Sequence, residues 1–236
     1  MRFLLTRPLN DSERVARQLR EKDHIVYVDP LLTIEPLEEI SINLSEYQAL
    51  IFTSPNAVRC YCQNSNDRNI AVFAVGDKTA NVAKTLGFKE VFSATGDVQK
   101  LSNTIKACLP YKAGTQLYLC GKHVSGDLKS ELENVGFKIE KKEIYDAVAV
   151  SDLNDMSKTQ IKSGTIDYIP FYSKRSALIF IELVRKAELL KYLTNITVLC
   201  LSPSIEVIAS SGNWKKIMTA KVPNQNSLFN LIDIEL

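Results

Sequence analysis

Thr53-Ser54-Pro55-Asn56 follows an apolar run and opens a segment of helical period, with Ser54 placed as an N-cap and Pro55 in the first turn. Free N–H groups and the positive end of a helix make such a turn suited to a carboxylate or phosphate. By itself, this turn reads first as a cap that only starts a helix, and second as a ligand site. Ser173-Lys174-Arg175-Ser176 has the same form with two cations added. Cations are disfavoured at a helix N-terminus, so an anionic ligand would explain Lys174 and Arg175, as would a solvated helix start. Gly76-Asp77-Lys78-Thr79 and Ser202-Pro203-Ser204 offer more hydroxyls, but neither is a P-loop or a dinucleotide fingerprint. Lys122 and His123 lie in Gly121-Lys122-His123-Val124-Ser125-Gly126, where an imidazole meets an acidic ligand, donates a proton or is simply solvated. Tyr145 sits in a β-rich stretch, where a tyrosine usually packs its ring and wets its hydroxyl. No nucleophile–base pair, metal-ligand spacing or carboxylate pair emerges, and Cys60-x-Cys62 on a helix points two ways.

These turns need strands and helices to aim them. Apolar runs at 2–6, 25–28, 49–53, 71–75, 116–119, 137–141, 143–150, 168–172, 197–201 and 215–219 read as strands. Most are nearly continuous rather than alternating, as expected of strands buried on both faces of a parallel sheet. Amphipathic segments at 11–22, 78–86, 98–109, 125–134 and 174–187 read as helices between them, which predicts a doubly wound α/β architecture.

The chain has 236 residues, so one large domain or two small ones are expected at about 150 residues each. Two are favoured by internal echoes. Ser54 and Ser173 lie in matching turns at 173 − 54 = 119, Gly87 and Gly212 at 212 − 87 = 125, and Leu19 and Leu132 at 132 − 19 = 113. The extended stretch at 27–36 and the β-rich stretch at 143–150 are suited to run side by side. The expected division is therefore 1–30 plus 149–236 as one discontinuous domain, 37–142 as an inserted one, and 31–36 with 143–148 as linker strands.

Composition removes several function classes. With 45% hydrophobic and 24% charged residues the chain is ordinary for a globular protein. A net charge of 29 − 27 = +2 supplies no field for nucleic acid or a membrane surface. The cysteines, Cys60, Cys62, Cys108, Cys120 and Cys200, are odd in number and form no Cys-x-x-Cys, and only His24 and His123 could join them in a metal cluster. Arg7 and Pro8 cut short the apolar Phe3-Leu4-Leu5, and no apolar run approaches the ~20 residues of a membrane span. A reduced, soluble, cytoplasmic protein is expected, and a monomer for want of a long exposed apolar stripe.

Taken in order, LLTRP (4–8), IFTSPNAV (51–58), AVGDKTA (74–80) with Gly87, LYLCGK (117–122), EIYDAV (143–148), FYSKRSA (171–177), CLSPS (200–204) and QNSL (225–228) resemble the uroporphyrinogen-III synthase family along nearly the whole chain. The resemblance implies two flavodoxin-like parallel-sheet domains joined by a two-stranded linker, with the active site in the cleft between. It implies conversion of the linear tetrapyrrole hydroxymethylbilane to uroporphyrinogen III, with loss of water and inversion of ring D through a spiro intermediate. It implies no metal or organic cofactor, and the charge and apolar runs already noted imply no nucleic-acid or membrane partner. Tyr145 takes the position of the tyrosine proposed to assist departure of the hydroxyl. Ser54, Thr79, Ser173 and Ser204 match positions that line the cleft, and Arg7, Lys122, Lys174 and Arg175 are candidate carboxylate contacts. Two departures stand out: Ser202 and Ile205 replace the usual glycine and threonine, and Lys174 stands where the first-domain counterpart has Pro55. The competing expectations are a non-catalytic two-domain binder of an acidic small molecule and a receiver-like module. The latter lacks a carboxylate pair after the first strand.

Overall fold

A computed structural model describes residues 1–37, 42–94, 98–109, 114–124 and 126–236. In chain order the strands and helices are β1 (Arg2–Leu5), α1 (Leu9–Arg20), β2 (Ile25–Val28), β3 (Leu32–Pro36), β4 (Tyr47–Phe52), α2 (Pro55–Asn64), β5 (Ala71–Ala74), α3 (Asp77–Thr85), β6 (Val91–Ser93), α4 (Val98–Cys108) and β7 (Thr115–Gly121). They continue as α5 (Leu128–Glu133), β8 (Ile139–Ala149), α6 (Asp155–Lys162), β9 (Tyr168–Phe171), α7 (Lys174–Lys186), β10 (Thr197–Cys200), α8 (Pro203–Ala209), β11 (Lys216–Thr219) and α9 (Gln225–Phe229). The chain divides into two compact units, Met1–Thr33 with Val148–Leu236, and Ile34–Ala147.

The first unit holds a sheet in the order β11-β10-β9-β1-β2, with each neighbouring pair parallel. Numbered by appearance, that is 2-1-3-4-5, the flavodoxin-like order of a doubly wound fold. Phe3 and Leu5 of β1 face Val15, Ala16 and Leu19 of α1 and Phe229 of α9. Phe171 of β9 packs against Phe180 of α7 at 5.4 Å and against Trp214 at 6.2 Å. The register between β1 and β9 is the single pair Phe3 with Tyr168; Pro170, which has no N–H for a ladder, lies just beyond it.

The second unit holds a sheet in the order β3-β8-β7-β4-β5-β6. Strands β6, β5, β4, β7 and β8 are mutually parallel. In β4 the apolar run is buried on both sides. Leu50 and Phe52 enter one core with Ala57, Val58 and Tyr61 of α2, while Ala49 and Ile51 enter another with Leu101 and Ile105 of α4 and Leu132 of α5. Each face of the strand therefore has its own helix layer, and the run lacks a polar face because it lacks a wet one. Strand β3 runs antiparallel to β8: Leu37 N–H donates to Ile144 O at 3.0 Å and Val150 N–H to Leu31 O at 3.1 Å.

The two sheets share one spatial plan in different chain order. Matching β9, β10, β11, β1 and β2 to β4, β5, β6, β7 and β8 superimposes the strand orders, and this is the pairing of the sequence echoes. Two expectations need correction. The runs at 137–141 and 143–150 are one strand, β8, because the backbone passes through Lys142 while still paired with β7. The helix expected at 125–134 is confined to α5, which Asp127 starts by accepting from Ser130 N–H at 3.2 Å; Ser125 lies outside the described residues.

Candidate active site

Ligands of doubly wound sheets sit beyond the carboxyl ends of the strands, where the strand order reverses. In the second unit the reversal falls between β4 and β7. Ser54 follows β4 and caps α2, its Oγ accepting from Asn56 N–H at 3.1 Å. Thr53 Oγ1 and the Tyr118 hydroxyl of β7 are 3.3 Å apart beside it. Burial pushes the Tyr118 phenol up to about 12, so it stays a neutral donor and acceptor.

Tyr145 lies in β8, directly opposite Gly121 at the end of β7. A bulge brings it there, since Cys120 pairs with Glu143 while Gly121 pairs with Tyr145. The ring is buried in the core that contains Leu119, Cys60 and Ile144. Burial raises the Tyr145 phenol above its ordinary range, and a hydrogen bond with the Ser54 side chain offsets part of that rise. The phenol is thus protonated at neutral pH and able to donate.

Lys122 follows β7, and its backbone N–H donates to Tyr145 O at 3.0 Å. Its Nζ is 3.2 Å from Asp146 Oδ2, and His123 Nε2 is 3.5 Å from Asp146 Oδ1. Desolvation pushes the Asp146 carboxyl up, but Lys122, the Ala147 N–H and His123 together outweigh it and hold the group below the usual aspartate range. Thr79 enters α3 beyond β5 and is only 3% exposed.

In the first unit the reversal falls between β1 and β9. Arg7 follows β1 and stacks its guanidinium 4.3 Å above the Tyr172 ring, and its Nη2 is 2.7 Å from Asp11 Oδ2. Burial pushes the Tyr172 phenol up to about 12 although Arg7 pulls the other way. Ser173 caps α7, accepting from Ser176 N–H at 3.1 Å, and Lys174 and Arg175 form the first turn behind it. Ser202 and Ser204 start α8, their hydroxyls 3.1 Å apart. Ile205 is 3% exposed, as is its counterpart Thr79.

The family model described as Uroporphyrinogen-III synthase HemD matches residues 13–230. The chain belongs to the uroporphyrinogen-III synthase family. No curated protein sequence matches it. Among solved structures it is similar to the uroporphyrinogen-III synthetase of Helicobacter pylori 26695, at 18% identity over 98% of each chain with a TM-score of 0.67. A mutant uroporphyrinogen III synthase from the extremely thermophilic bacterium Thermus thermophilus also matches, at 15% identity over 92% of each chain with a TM-score of 0.48. The first of these likenesses shows the synthase fold, two doubly wound α/β units.

Ser54, Tyr145, Gly121 and Lys122 come together in one unit, and Arg7 meets Tyr172 beside the turn of Ser173, Lys174 and Arg175 in the other. Arg7 and Lys122 each already hold a carboxylate of the chain itself, Asp11 and Asp146. Sequence reasoning missed Tyr118, Tyr172, Asp11 and Asp146. Tyr118 is hidden inside a continuous apolar strand, and Asp11 shows only as an acid four residues after Arg7 at helical spacing. Among the described residues no group of three or more His, Cys, Asp or Glu is arranged to hold a metal, and no helix is long and apolar enough to cross a membrane.

Proposed function

We propose that the protein is a uroporphyrinogen-III synthase, a cyclising hydro-lyase that converts hydroxymethylbilane to uroporphyrinogen III. The observation that carries this is the family match across residues 13–230. The reaction breaks the C–O bond of the terminal hydroxymethyl group and forms a C–C bond at the substituted carbon of ring D, giving a spiro intermediate. The older methylene bond at that carbon then breaks, and the freed methylene bonds to the unsubstituted carbon of ring D, whose proton is lost. The ring is thereby inverted, and water is the net product released. The protein's main contribution is to hold the bilane curled so that those carbons meet, because the free bilane closes unaided to the uninverted isomer. Tyr145 donates a proton to the departing hydroxyl, a role supported by a buried phenol that burial keeps protonated.

The substrate's eight carboxylates need local donors, since a net charge of +2 holds no such ligand by field alone. The candidate donors are Ser54, Thr79, Lys122, Arg7, Ser173, Lys174, Arg175 and Ser204. Where the chain's own carboxylates already engage Arg7 and Lys122, the bilane shares or displaces Asp11 and Asp146. The protein acts as a cytoplasmic monomer without a metal or organic cofactor. Hydroxymethylbilane generated in situ, with oxidised porphyrin isomers separated by chromatography, tests the proposal. Type III product above the protein-free control is expected. Type I alone would reject it, and tight bilane binding in that case would identify a non-catalytic binder.

A further inference from the structure

Gly121 is the last residue of β7 and lies against the face of the Tyr145 ring. A Cβ built at position 121 would stand 2.6 Å from Tyr145 Cζ, 2.7 Å from its Cε2 and 3.0 Å from its hydroxyl oxygen. Contacts that short do not occur between real side chains, so a methyl group here and the ring in its present place exclude each other. Backbone freedom is not what the position requires. The described glycines with positive φ are Gly87, Gly126, Gly136 and Gly164, and Gly121 is not among them. What the fold uses at Gly121 is the absence of a side chain.

The ring has little room to yield. Tyr145 is 8% exposed and belongs to the core formed by Leu119, Cys60, Phe52 and Ile144. Its backbone is fixed as well, because Lys122 N–H donates to Tyr145 O at 3.0 Å and the bulge sets Tyr145 opposite Gly121 in the pairing of β7 with β8. A phenol turns only about two side-chain angles, so pushing its face displaces the hydroxyl.

We propose that Gly121 is the positioning residue for the Tyr145 hydroxyl, its missing side chain forming the slot in which the ring is seated. This rests on the reading of Tyr145 as the proton donor to the leaving hydroxyl.

The test is a double-mutant cycle on the full chain with Gly121→Ala, Tyr145→Phe and the pair, measuring kcat and KM for hydroxymethylbilane. Gly121→Ala is expected to lower kcat about tenfold or more with KM within about threefold of the parent. In the Tyr145→Phe background the same change is expected to cost less than about twofold in kcat, since no hydroxyl is left to misplace. A Gly121→Ala protein at the parent rate beside an impaired Tyr145→Phe overturns the inference, as does an undiminished Gly121→Ala penalty in the Tyr145→Phe background. A Tyr145→Phe protein at the parent rate instead removes the proton-donor reading, and this inference with it. Should Gly121→Ala not fold, the Gly121→Ala/Tyr145→Ala pair decides. Recovery of cooperative melting supports the slot, and a chain still unfolded refutes it.

Discussion

Tyr145 and the two cations of the α7 turn carry the sharpest predictions about individual side chains. Positioned proton transfer is worth about 10²–10⁴ in rate, so Tyr145→Phe is expected to lower kcat by about a hundredfold with KM little changed. A rate within about twofold of the parent, only ~0.4 kcal/mol of barrier, would remove Tyr145 from the mechanism. The sign of its pH dependence follows from burial. The phenol ionises above its ordinary value, so the acid form persists through neutral pH and the rate should not fall on its account below about pH 10. A fall near neutrality that Tyr145→Phe abolishes would contradict this. Lys174→Ala with Arg175→Ala is expected to raise KM more than it lowers kcat, because these side chains lie in the first turn of α7 and are proposed to meet substrate carboxylates. The reverse pattern would assign them to the transition state.

Strand β1 has to be tied into the middle of its sheet although Pro170 leaves it a short ladder with β9, and Asp167 supplies the tie. Its Oδ2 accepts from the Arg2 backbone N–H at 2.8 Å and from Arg2 Nε at 3.2 Å, and its Oδ1 accepts from Arg2 Nη2 at 2.8 Å. Partial burial pushes the Asp167 carboxyl up, but these bonds outweigh it and leave the group below the ordinary aspartate range. For an acid whose folded pKa is depressed, the stabilisation is present above the unfolded value, about 3.9, and is lost as the pH falls through the folded one. Asp167→Asn is therefore expected to lower the melting temperature at pH 7, with the difference from the parent shrinking as the pH falls below about 4. A difference that stays constant from pH 7 to pH 3 would show that the carboxylate's charge contributes nothing.

The connectivity of the two units makes a prediction for the chain as a whole. Residues 34–147 contain their own sheet, with cores on both of its faces. The other unit is assembled from both chain ends, and β1 from the first end stands between β9 and β2. A fragment of residues 34–147 is expected to unfold cooperatively in urea, whereas residues 148–236 alone, lacking the neighbour that covers one side of β9, are not. Cooperative unfolding of 148–236 alone would mean that β9, β10 and β11 suffice for a core.

Much of this architecture is written locally. The runs around Leu4, Ile51, Phe73 and Leu199 are apolar without alternation because both faces of a central parallel strand are buried. Ser54 and Ser173 announce helix starts because an N-cap hydroxyl satisfies an orphan N–H of the first turn. The family motifs are local too, and they are legible without the fold. Other features depend on partners distant in sequence or on geometry that composition does not carry. Lys142 looks like a break between two strands until its pairing with β7 is seen. Tyr118 reads as one more core residue until Thr53 is placed beside its hydroxyl. Gly121 reads as an ordinary turn glycine until the ring of Tyr145 is laid against it across a bulge. Residue types in their order are enough for the alternation of elements, their caps and the family. Folding alone selects which turns share a strand-order reversal, which cations already hold a carboxylate, and which glycine seats the phenol, because those depend on register and strand order rather than on residue type.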